Sequence, residues 1–126
     1  GSLSGPRRTI LVADDDQALR EAIVDCLGEE VSWTLLQASN GTDALALGLS
    51  ANPAVILLDQ RMPGLTGAEV VRALREAGAS VPIILMTASR DVRDLAAELG
   101  LHCFLGKPFS FEQLILLVTR ALAGQC

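Results

Sequence analysis

The chain has 126 residues, half of them hydrophobic, with 10 Lys and Arg against 15 Asp and Glu, a formal net charge of −5 and a pI near 4.7. That length suits one domain, which buries enough surface to fold without a disulfide or structural metal, and the 3% aromatic content makes the expected core aliphatic. The acidic balance, with Arg7 and Arg8 as the only close basic pair, sets nucleic acid aside as a partner, and no apolar run approaches the roughly 20 residues of a membrane span.

Residues 1–8, GSLSGPRR, lack the apolar stretch of a signal peptide, and Gly1 and Ser2 look like a cloning remnant. The segment is therefore expected to be a loose N-terminus, the folded unit to run over 9–123, residues 124–126 to be a C-terminal end, and the chain to be cytoplasmic.

The first strand-like run, 9–13, ends at Asp14, Asp15 and Asp16. Asp16 stands where an N-cap belongs, before a helical spacing of Leu19, Ile23, Cys26 and Leu27. A second strand, 33–38, is followed by the uncharged Ser39 and Asn40 and by a helix with Ala44, Leu45, Gly48 and Leu49. The third, 54–58, delivers Asp59 straight into a turn built on Pro63, Gly64 and Gly67. Thr66 and Glu69 then form a capping box ahead of Val70, Val71 and Leu74, and Gly78 marks that helix's stop. The fourth strand, 82–87, ends on Thr87. A helix with Val92, Leu95, Ala96 and Leu99 follows and stops at Gly100. The fifth strand, 101–105, leads to Lys107, and Ser110 with Gln113 caps a final helix carrying Leu114, Ile115, Leu117, Val118 and Leu122.

Strands that alternate with crossover helices must run parallel, with helices on both faces, so the expected class is α/β, a (βα)5 doubly wound sheet. Such sheets bind ligands at the carboxyl ends of their strands. Asp14, Asp15, Asp59, Thr87 and Lys107 all fall on that edge. Singly, each has an ordinary role as turn residue, strand hydroxyl or surface cation. Jointly they make a crevice of mutually repelling carboxylates with one ammonium, which a divalent cation or a shifted pKa relieves. All-oxygen ligation suits Mg²⁺ or Mn²⁺ better than zinc.

The cysteines, Cys26, Cys103 and Cys126, are odd in number and lack CxxC spacing, which argues against a disulfide framework or zinc site. Cys26 and Cys103 are expected to be small buried hydrophobes, and Cys126 an exposed thiol prone to oxidative dimerisation. His102, the only histidine, is expected to be structural or solvated.

From about Thr9 to Leu122 the chain resembles the receiver domain of bacterial two-component response regulators. The resemblance is carried by ILVADDD with Asp14 and Asp15, LLDQRMPGLTG with its D-x-x-M-P-x-x-x-G pattern, LMTA with Thr87, and FLGKPF with Lys107 and Pro108. It implies a flavodoxin-like sheet of order 2-1-3-4-5 and a signalling phosphoacceptor rather than an enzyme with turnover. Asp59 would take a phosphoryl group from the phosphohistidine of a sensor histidine kinase or phosphotransfer protein. Asp15, Asp59 and the backbone carbonyl of Arg61 would hold Mg²⁺, with Asp14 acting largely through water. Lys107, expected to precede a cis peptide, would pair with a phosphoryl oxygen. Thr87 and Phe104 would form the switch that reshapes the fourth helix, fifth strand and fifth helix. Arg61 and Ser89 match positions that tune acyl-phosphate hydrolysis. Further implied are an output domain or downstream protein as partner, no direct contact with nucleic acid or membrane, and a monomer or phosphorylation-dependent dimer.

Three departures stand out. Gln60 replaces an apolar residue, with little expected effect; Gly106 replaces a small hydroxylated residue or alanine; and the segment 89–99 is about half a turn short. Two other readings compete. A haloacid dehalogenase-type phosphatase needs a second Asp where this chain has Arg61. A receiver-shaped interaction module working without phosphorylation usually loses one of the acidic, phosphoacceptor or lysine positions, all present here.

Overall fold

A computed structural model of the chain describes residues 8–29, 32–88 and 90–126. Strand and helix alternate throughout: β1 (Arg8–Ala13), α1 (Gln17–Leu27), β2 (Trp33–Ala38), α2 (Gly41–Ser50), β3 (Val55–Asp59), α3 (Gly67–Glu76), β4 (Ile83–Thr87), α4 (Val92–Glu98), β5 (Cys103–Gly106) and α5 (Phe111–Leu122). The strands form one parallel sheet in the order β2-β1-β3-β4-β5, the flavodoxin-like order that the resemblance implied.

Successive strand residues point to opposite faces, and the aliphatic runs therefore split into two cores. Ile10, Val12, Val55, Leu57, Ile84 and Met86 pack with α1 and α5. Leu11, Ala13, Ile56, Leu58, Ile83 and Leu85 pack with α2, α3 and α4. β3 and β4, covered on both sides, are buried at every position, which explains why they read as unbroken apolar runs.

The helix ends follow the sequence signals. Asp16 caps α1 by accepting the Leu19 amide at 3.1 Å, and Asn40 does the same for Asp43 at 2.8 Å. Thr66 with Glu69 and Ser110 with Gln113 both form complete capping boxes. Past α3, Gly78 at φ 85° lets its own amide and that of Ala79 return to Arg75 O and Leu74 O. Past α4, Gly100 and Leu101 return in the same way to Ala97 O and Ala96 O. Leu101 is thus the apolar residue that closes a helix end, and β5 begins later than its hydrophobicity suggested, at Cys103. α4 has 7 residues, fewer than any other helix among the described residues.

Several expectations are corrected. Arg8 belongs to β1 and not to a loose N-terminus, and its guanidinium donates to the Leu122 carbonyl at 2.7 Å; residues 1–7 lie outside those described. Cys126 is no exposed thiol: it is half-buried and disulfide-bonded to Cys103, 23 positions earlier, while Cys26 is free and only half-buried, not the buried hydrophobe expected. α5 runs back along the sheet and returns its end to the start of β5, so an odd count concealed one pair plus a single thiol. Among the described residues no helix is long and apolar enough to cross a membrane.

Candidate functional site

At the carboxyl edge of the sheet the chain leaves β1 through a carboxylate with no exposure to solvent, Asp14. Its Oδ1 accepts the Asp16 amide at 2.9 Å and its Oδ2 accepts from Lys107 Nζ at 2.7 Å. Asp15, next in the chain, is exposed. Asp59 is the last residue of β3 rather than the first beyond it, is 5% exposed, and lies 3.4 Å from Lys107 Nζ through Oδ1. One ammonium therefore sits between two buried carboxylates.

Burial, then the neighbouring Asp14 charge, push the Asp59 carboxyl from 3.8 up to about 6, with Lys107 pulling the other way. For Lys107, burial lowers the pKa, but the hydrogen bond and charge of Asp14, with Asp59 behind them, outweigh it and the net direction is up. Lys107 is placed by its own amide, which donates to the Thr87 carbonyl at 2.8 Å, and the Lys107–Pro108 peptide is cis, as the resemblance implied.

Asp14, Asp15 and Asp59 each offer an oxygen within 4.8 Å of the others, a donor set that fits a hard divalent cation. Asp14 already accepts two hydrogen bonds, so Asp15 and Asp59 have the freer oxygens. Thr87 closes β4, 2% exposed, one position past Met86, the register partner of Asp59. Phe104 is half-buried on the α4 side of β5, with the Arg93 guanidinium 6.0 Å above its ring. The Arg61 side chain is exposed, His102 is exposed, and Asp16 is committed to its cap. Ser89 lies outside the described residues.

Two residues join the site that the sequence reading had not assigned to it. Arg20 on α1 donates to the Asp14 carbonyl at 2.8 Å and to Gln37 at 2.9 Å, pinning the end of β1. Nothing in an amphipathic pattern marks such a reach. Gln60 was expected to matter little, yet its side-chain Oε1 accepts the Ala68 amide at 2.8 Å. The departure from an apolar residue was the available signal.

Residues 10–119 match the family model described as the response regulator receiver domain. The response regulator MprA of Mycobacterium ulcerans is 40% identical over 108 residues, 84% of this chain and 46% of that protein. The probable transcriptional regulatory protein TcrX of Mycobacterium tuberculosis is 34% identical over 110 residues, 86% of this chain and 47% of that one. The chain thus spans about half the length of these curated relatives. Among solved structures, the Francisella response regulator 1452 receiver domain superposes with a TM-score of 0.86 at 30% identity, covering 95% of this chain and all of that one. The response regulator TrrA of Thermotoga maritima, in complex with Mg²⁺–BeF, superposes with a TM-score of 0.81 at 32% identity over 91% of this chain and 99% of that one.

Proposed function

The chain belongs to the response regulator receiver-domain family, and from that premise we propose that it accepts a phosphoryl group on Asp59 from the phosphohistidine of a kinase or phosphotransfer protein. The observation that carries this is the Lys107 ammonium lodged between Asp14 and Asp59 at 2.7 and 3.4 Å, beside exposed Asp15. An Asp59 carboxylate oxygen bonds to phosphorus as the P–N bond to the donor imidazole breaks, and that bonding pair returns to the ring nitrogen. Mg²⁺ held by Asp15, Asp59 and the Arg61 carbonyl would neutralise charge on the phosphoryl oxygens, which is most of what this transfer asks of a protein.

The remaining work falls to the chain itself. Asp59 must reach the partner ionised, and Lys107 favours that form against burial. The ammonium then exchanges its contact with Asp59 for one with a phosphoryl oxygen while Asp14 keeps it in place. Thr87 donates its hydroxyl to the new group, and Phe104 turns, reshaping the surface of α4, β5 and α5. By the family resemblance, Arg61 and Ser89 would tune hydrolysis of the acyl phosphate. The domain is a switch that assists its own phosphorylation and dephosphorylation, in the cytoplasm, and passes the change to an output domain or downstream protein.

The partner's approach is supported by a hollow of about 330 Å³ next to the site. Leu19, Ala88, Pro108, Phe109 and Phe111 line it together with Asp16 and Lys107. An apolar patch on the phosphoryl donor would be received there, beside Lys107 of the site.

The test is intact mass after incubation with Mg²⁺ and acetyl phosphate, beside Asp59→Ala and a sample with chelator. One added phosphoryl group, absent from both controls, is the expected result. Uptake that survives in Asp59→Ala would mean another nucleophile, and no uptake by the folded wild type with several donors would favour the phosphorylation-independent interaction module.

A further inference from the structure

Gln60 is tied at three points. Its amide donates to the Met86 carbonyl at 3.1 Å, its own carbonyl accepts the Gly67 amide at 2.9 Å, and its side-chain Oε1 accepts the Ala68 amide at 2.8 Å. Gly67 and Ala68 are the first residues of α3, so one residue satisfies two of that helix's unpaired N-terminal donors, and Thr66 satisfies a third at Glu69.

The consequence is a loop, 61–66, closed at its base. A Cβ on Gly67 would come within 2.5 Å of the Asp59 carbonyl and 3.1 Å of Gln60 Oε1, so the two sides of the base are in direct contact. Farther out, Met62 is buried in the core and the Pro63 carbonyl accepts the Gly41 amide at 3.0 Å. Arg61, whose side chain is exposed, is held between the anchored Gln60 and the buried Met62, so its peptide carbonyl has little freedom.

We infer that Gln60 is a positioning residue for the metal site: by bonding the first turn of α3 it sets the Arg61 carbonyl before any cation arrives. The inference rests on the functional reading above, which gives that carbonyl to Mg²⁺. Groups that orient a metal's ligands without touching the metal typically change its affinity by tenfold or more when removed.

The test compares Gln60→Met and Gln60→Leu, which keep bulk and lose the acceptor, with Thr66→Ala, which loosens the same helix end but leaves the base bond intact. Mg²⁺ binding is followed by amide chemical shifts, and hydrogen exchange of Ala68 and of residues 61–66 is measured without metal. Either Gln60 variant should raise the Mg²⁺ dissociation constant on the order of tenfold and speed that exchange, while Thr66→Ala stays within about twofold. Wild-type affinity in a folded Gln60 variant, or an equal loss in Thr66→Ala, would overturn the inference. A wild type that binds no Mg²⁺ would instead sink the metal reading of the site, and this inference with it.

Discussion

Asp59→Asn keeps the side chain's shape and removes its charge, and it should make the metal-free protein more stable. Asp59 holds its proton up to about pH 6 in the folded chain, against an ordinary 3.8, because it is buried and faces Asp14. A carboxyl whose folded pKa is raised costs nothing below the ordinary value and its full cost above the folded one, so the penalty develops between about pH 4 and pH 6. About two units correspond to roughly 3 kcal/mol, and water entering beside exposed Asp15 screens this to about 1–2 kcal/mol. For a domain of this length that is roughly 3–8 °C in melting temperature. Thermal unfolding in chelator from about pH 4 to about pH 8 reads it directly. The variant should melt above wild type at about pH 7.5, the gap should close toward pH 4, and saturating Mg²⁺ should stabilise wild type selectively. A variant no more stable than wild type at neutral pH, or a gap indifferent to pH, would refute the account of the site's electrostatics.

Lys107→Ala should do the opposite, since it leaves Asp14 and Asp59 buried without their cation. Removing one partner of a buried pair costs about 3 kcal/mol or more; urea unfolding in chelator should show the largest loss above pH 6, where Asp59 is charged, with Mg²⁺ binding retained and the response of α4 to phosphorylation lost. Cys126→Ser should unfold about 3 kcal/mol more easily than the oxidised wild type, because the 23-position separation of the bridge closes a loop of that order in the unfolded chain. A non-reducing peptide map without the Cys103–Cys126 pair would count against the bridge.

Most of the architecture was legible because its signals are local. Unbroken apolar runs mark strands covered on both faces, capping boxes mark helix starts, and glycines mark helix stops. The edge of each strand was less so. Asp59 still occupies a sheet position opposite Met86, because extended pairing continues one residue beyond the apolar run. Leu101 is apolar for the sake of a helix end and not of β5. The site's carboxylates and lysine were legible because a parallel sheet brings all its carboxyl ends to one edge. Arg20, Gln60 and the Cys103–Cys126 bond were not, since each depends on where a side chain or helix end arrives after folding.

The division of the core into two separate layers has a consequence for how signals pass. The hollow proposed to receive the kinase is built from α1 and the approach to α5, over the layer that holds Ile23 and Leu114. Phe104 and α4 lie across the sheet, over the layer that holds Leu85 and Val92. The proposed input hollow thus shares α5 with the proposed output surface, whereas Phe104 and α4 belong to the other layer, and the row of polar groups along the rim of the sheet joins the two. A change on α4 can therefore retune the output alone, while one at the start of α5 is felt by both correspondents.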